Sequence, residues 1–220
     1  WKHAFVGGNV YVLNMLKNNI STLGLTASSE NFDSTIARAK ENLTEKAIDL
    51  FITTTYENDS LNVFVKIENK TGHKIPSGIP FRRMWIHLMI TDPSNNIVFE
   101  SGKWDAQGEI NGLDAEYEPH YDLINNEDDV QIYEGVMVDV DNAVTYTLLR
   151  ASSYIKDNRI PPKGFTTTHP SYDTTAIFGS AVFDQNFNKE NTTEGTGSDI
   201  VNYRIPVTNE TTYKVFAEVC

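Results

Sequence analysis

Apolar positions change period once along this chain, near Phe51. Before that point they fall at helical spacing. Val6, Val10, Leu13 and Leu16 form one stripe, which ends at the polar run Lys17-Asn18-Asn19. Ile36, Leu43, Ala47 and Leu50 form a second stripe, with Asp33 or Ser34 as its cap. Beyond Phe51 the period drops to two. Leu61 through Ile67, Met84 through Thr91, Ile97 through Phe99, Val130 through Val138 and Val144 through Leu149 read as strands. Ala176 through Phe183, Val201 through Val207 and Tyr213 through Val219 read the same way. Asp92-Pro93-Ser94-Asn95-Asn96 is a hairpin loop between two of them. About eight short strands with no long helix between them predict a mainly β chain, an antiparallel β-sandwich behind a short α-helical segment. The expected domains are a helical segment over 1–51 and a sandwich over 52–220.

Composition narrows the function classes. The chain has 220 residues, 40% of them hydrophobic and 22% charged, which describes a folded domain with a real core. Its net charge of -12 argues against nucleic acid and anionic lipid as partners, since both require a basic surface. No apolar run is long enough to span a membrane. The single cysteine, Cys220, excludes an internal disulfide and a Cys-based zinc site. The chain opens at Trp1 without a Met or a signal segment and closes within an apparent strand, so both ends read as cut. Sequons at Asn19, Asn42, Asn58, Asn69, Asn191 and Asn209 suit an exported surface protein.

Catalytic signatures are missing: there is no Gly-x-Ser-x-Gly elbow, no phosphate-binding loop and no His-Glu-x-x-His pair. The expectation leans away from an enzyme. Twelve acids and no Lys or Arg lie between Trp104 and Asn142. They read first as a solvated face able to dock a basic redox partner. If calcium binds there, Asp128, Asp129 and Asp139 are the candidates. His87, on a predicted strand, reads as a satisfied strand histidine, and His169, before Pro170, as a surface loop residue.

One loop stands apart. In Asn69-Lys70-Thr71-Gly72-His73-Lys74-Ile75-Pro76-Ser77-Gly78-Ile79-Pro80-Phe81-Arg82-Arg83-Met84-Trp85, two glycines and two prolines restrict the backbone around a single imidazole. That suits holding a ligand, and it equally suits a tight connection with a solvated histidine. The segment resembles the Gly-His-Lys-x-Pro-(Thr/Ser)-Gly-x-Pro-x-Arg-Arg-x-Trp stretch in β-rich domains of multihaem c-type cytochromes. Val98 through Gly102, Glu118 through Asp122, Val130 through Glu134, Leu148 through Ala151 and Tyr154 through Phe165 match that family in the same order. The opening His3-Ala4-Phe5-Val6-Gly7-Gly8-Asn9 resembles the stretch that follows its haem-binding region.

The resemblance implies an extracytoplasmic electron-transfer accessory domain, periplasmic, secreted or on the cell surface. No Cys-x-x-Cys-His motif is present, so any haem c would be attached outside this sequence, on a haem-bearing region or subunit. His73 and His3 are the implied candidates for axial ligands to its iron. His120 is a further candidate, and Arg82 and Arg83 are candidates for clamping haem propionates. The implied partners are that haem-bearing region and a redox partner protein, within a larger assembly or filament. The alternative is a non-redox calcium- or glycan-binding sandwich whose aromatic residues, 11% of the chain, make a binding face. A third reading is a subunit of an oxidoreductase whose catalytic haem lies elsewhere.

Overall fold

The computed structural model describes residues 10–79, 82–113, 116–208 and 212–220. The chain divides into two units, 1–49 and 50–220. The first holds helices α1 (Val10–Asn18) and α2 (Ser29–Glu41), the latter prolonged by a π-helical turn, Asn42–Lys46. Val6 and His3 lie outside the described residues. α1 buries no side chain, whereas Ile36 and Ala39 of α2 are buried.

The cap of α2 is Ser28, five residues ahead of the expected Asp33: its hydroxyl accepts from Asn31 N–H. Asp33 instead pairs across to Lys17 of α1. The predicted stripe also breaks at its end. Leu43 is exposed and Leu50 already belongs to a strand.

The second unit is mainly β. Its strands are β1 (Ile48–Glu57), β2 (Ser60–Asn69), β3 (Met84–Thr91), β4 (Ile97–Ser101), β5 (Leu123–Ile124), β6 (Ile132–Tyr133) and β7 (Gly135–Val138). β8 (Val144–Thr145), β9 (Ser153–Asp157), β10 (Lys189–Glu190), β11 (Thr193–Glu194), β12 (Ser198–Pro206) and β13 (Lys214–Val219) follow. One sheet has the order β1-β2-β12-β5, and another has β13-β3-β4 with β6 also on β3. β8-β7-β9 and the hairpin β10-β11 complete the set. β2–β12, β3–β13 and β3–β4 are antiparallel, and β5 joins β12 in parallel over two residues.

Alternation along the strands builds the sandwich core. Val63, Val65 and Ile67 of β2, Ile86, Leu88 and Ile90 of β3, and Val201 and Tyr203 of β12 are fully buried. Phe99 of β4 meets Tyr203 of β12 edge to face, with centroids 6.2 Å apart, so the two main sheets share one interior. The expected loop at Asp92 closes β3 onto β4: the Asp92 carboxylate accepts from Asn96 N–H at 2.9 Å, and Asn95 takes a φ of 65°.

Two strand expectations change, and β1 and β9 are strands the periodicity did not predict. Ala176 through Phe183 gives a single bridge, Phe178 to Asp157, followed by a 3-10 turn at Ser180–Val182. Gly179 between them sits at φ 81° against Ile155 O, a conformation no strand continues through. The strand at Val144 stops at Thr145, and the chain turns with Leu149 99% exposed. β9 reads polar in sequence, yet its Lys156 and Asp157 are buried and ion-paired.

His87 confirms its reading as a satisfied strand histidine. Its Nδ1 lies 3.0 Å from Glu218 on β13 and its Nε2 3.1 Å from Glu100 on β4, so one ring ties three strands together. Among the described residues no helix is long and apolar enough to cross a membrane.

Leu88 sits at the centre of β3 with no exposed surface. Leu88→Ala is expected to cost about 2–5 kcal/mol of stability, read by denaturant melts. A loss below about 1 kcal/mol would mean that the two sheets do not share this core.

Candidate functional site

The loop carrying His73 is held from beneath by Asn69, the last residue of β2. Asn69 is buried, and its amide donates to the carbonyls of His73 at 2.7 Å and Ile160 at 2.9 Å. Its Oδ1 accepts from the N–H and the hydroxyl of Thr71, both at 2.8 Å. Ile75 and Ile160 then exchange both backbone hydrogen bonds, at 2.9 and 2.8 Å. The His73 loop is thereby bound to the segment that begins at Asn158. The amide nitrogen of the Asn69 sequon, which a glycan would need, is engaged by the carbonyls of His73 and Ile160.

His73 is exposed, and its Nδ1 lies 3.0 Å from the Lys74 carbonyl. A carbonyl only accepts, so Nδ1 carries the proton and the lone pair resides on Nε2. His73 stands at the rim of an open groove of about 690 Å³. The groove's walls are aromatic: Tyr154 stacks with Phe178 at 5.9 Å, and Phe165 lies against Tyr172 at 5.6 Å.

The groove's charged groups are Lys74, Asp157, Arg159 and Lys163. Asp157 is buried and accepts from Lys74 Nζ at 2.8 Å and from Arg159 Nε and Nη2 at 2.9 and 2.7 Å. Burial pushes the Lys74 ammonium below its ordinary range, while the hydrogen bond to Asp157 raises the Arg159 guanidinium further. His169 also lines the groove, its Nδ1 accepting from Ser171 N–H at 3.1 Å. It is an exposed loop residue, as its place before Pro170 suggests. The basic residues of Tyr154–Phe165 were a usable signal, but only the bridge at Ile160 brings them to His73.

The other sequence candidates lie elsewhere. Arg82 and Arg83 are exposed; Arg82 Nη1 donates to Ser77 O at 3.3 Å and lies beside Gly78, so it borders the groove that Ser77 and Gly78 line. Asp139 caps a turn, accepting from Asp141 N–H, Ala143 N–H and Arg150, and those backbone bonds hold its carboxyl below the usual range. Asp128 is exposed and Asp129 half-buried. Among the described residues these three are not gathered into one ligand set.

His120 is a core residue, and this corrects its standing as a haem candidate. Its Nδ1 faces the amide nitrogens of Gln131 at 2.7 Å and Asn158 at 3.1 Å. Both amides are oriented by the backbone, because Gln131 Oε1 accepts from Tyr121 N–H and Asn158 Oδ1 from Glu134 N–H. Nδ1 therefore accepts, and Nε2–H donates to Asp184 at 2.9 Å. Both ring nitrogens are used, and no lone pair remains for an iron.

His120, Asp184 and Asp199 form a buried group whose ligand atoms lie within 4.8 Å of one another. Two carboxylates share a desolvated space around that ring. Burial above all, with the Asp184 charge beside it, pushes Asp199 up to about 6, against the pull of His120 and the hydrogen bond from Tyr133 at 2.7 Å.

No family model matches the chain, and no curated protein matches it. Among solved structures it is similar to a penta-heme cytochrome c552 from Thermochromatium tepidum, at 13% identity and a TM-score of 0.46. The match covers 81% of this chain and 33% of that one, so the chain spans about one third of the neighbour's length. At that level the likeness carries no argument about this chain.

Asp199 generates a prediction with a definite sign. A carboxyl raised from 3.8 to about 6 favours the fold while protonated, so stability is full below about pH 4 and is lost as pH rises through about 6. Asp199→Asn removes that loss. Relative to the wild type, the variant should gain about 3 kcal/mol between pH 4 and pH 8 in denaturant melts. Parallel pH profiles would show that Asp199 titrates normally.

Proposed function

We propose that this chain is an extracytoplasmic electron-transfer accessory domain that packs on a haem carried outside these 220 residues and lends His73 as a distal axial ligand. The observation that carries the reading is the state of that imidazole. It is exposed at a groove rim, its loop is braced by Asn69, and its Nδ1–H donates to Lys74 O, which leaves Nε2 as the donor atom. A neutral imidazole with its other nitrogen tied to a carbonyl is the form that ligates iron, and the tie sets both ring orientation and basicity.

The groove fits the group as well. Two aromatic pairs provide apolar walls, and the volume lies within the range of small-molecule sites. A haem bound there would supply the one-electron chemistry. The chain's part is to orient the ring, exclude water from one face and tune the iron through His73. His3 remains the second ligand candidate by resemblance. The acidic stretch between Trp104 and Asn142 would present a docking face to a basic redox partner.

In the intact haem-bearing assembly, His73→Ala should convert one low-spin haem to a high-spin or water-ligated form, visible in the absorption spectrum. The same change should shift that haem's reduction potential. An unaltered spectrum in a folded variant would sink the assignment.

A further inference from the structure

We infer that the groove beside His73 is a carboxylate clamp for the acidic arms of a porphyrin, with Lys163 and Arg159 as the groups that receive them. This rests on the reading that a haem packs at His73, and it replaces Arg82 and Arg83 in the role the sequence suggested for them. The first ground is charge. In a chain of net charge -12, this groove collects Lys74, Arg159 and Lys163 against one carboxylate, Asp157. Asp157 is already committed, with both of its oxygens accepting from Lys74 and Arg159. Positive charge remains, and Lys163 stands exposed at the mouth. A concave surface of that sign concentrates anions.

The second ground is shape. Lys74 Nζ lies over the Phe165 ring at 5.7 Å and the Arg159 guanidinium over the Tyr154 ring at 5.9 Å, so cations and aromatic walls meet within one groove, as a largely apolar ligand carrying carboxylates requires. The third ground is the bracing of the cations. Gly197, at φ 66°, lets β12 approach so closely that a Cβ there would meet Lys163 N at 2.6 Å. Gly164 N–H donates to Gly195 O at 2.8 Å, and the buried Asn188 donates to Phe165 O at 2.8 Å. The backbone of the loop bearing Lys163 and Phe165 is therefore held against Asn188, Gly195 and Gly197, which fixes where the Lys163 side chain starts at the groove.

The test uses the 220-residue chain and metal-free protoporphyrin IX, whose fluorescence reports binding and which has no iron for His73 to ligate. Its dimethyl ester is the comparison. The diacid should bind about tenfold more tightly than the diester, with the difference shrinking as salt rises. Lys163→Gln, at an exposed position, should weaken the diacid about threefold and leave the diester unchanged. Arg159→Gln should weaken it more, and Arg159→Lys should recover part of the loss; melts of both variants verify folding.

Equal affinity for diacid and diester would overturn the clamp, as would indifference to both Lys163→Gln and Arg159→Gln. Full displacement by millimolar succinate would make the groove a general carboxylate site and overturn the porphyrin assignment. Because the probe carries no metal, a clamp that holds while His73 fails to ligate iron would unseat only the reading of the previous section.

Discussion

A single buried amide organises the functional half of this molecule. Asn69 ends β2 and has nowhere to send its polar atoms but to the loops above it. It binds His73 O, Ile160 O and both donors of Thr71. A buried amide left without partners is expensive, so the two loops are compelled to meet over it. The Ile75–Ile160 bridge follows from that meeting, and the groove is the space left between the loops.

Buried charge follows the same logic. Lys156 reaches Glu134 at 2.9 Å and the carbonyl of Ile132 at 3.0 Å, while Lys74 and Arg159 converge on Asp157. Removing one member of such a group leaves the others desolvated and unpaired, which costs more than the pair itself contributes. These clusters fix where β9 and the segment after it lie. The cations of the groove are in this sense a by-product of the polar core, placed at a surface where an anion can use them.

The histidines show how context assigns chemistry to one side chain. His87 spends both nitrogens on carboxylates of neighbouring strands, and His120 spends both on a buried amide and carboxylate network. His169 and His73 keep exposed rings in loops over the groove. Of the two, His73 has its Nδ1 tied to a carbonyl, and so presents the nitrogen suited to a metal.

The sequence by itself determined the mainly β class, the long strands β2, β3, β12 and β13 and the hairpin at Asp92, but not β1, whose first residues it read as helical. Those depend on local periodicity and turn chemistry, which a linear pattern carries. It also singled out the His73 loop, because closely spaced Gly and Pro constrain the backbone whatever surrounds them. Only the tertiary structure decided the rest. β9 was missed because its buried Lys156 and Asp157 look like solvent-facing residues until their partners are known. His120 looked available for a ligand because nothing local reveals Gln131 or Asn158 beside it. The groove joins residues near 73 to residues near 160 and 170, and that encounter depends on long-range pairing, since hydrogen-bond satisfaction of a buried Asn69 cannot be read from spacing along the chain.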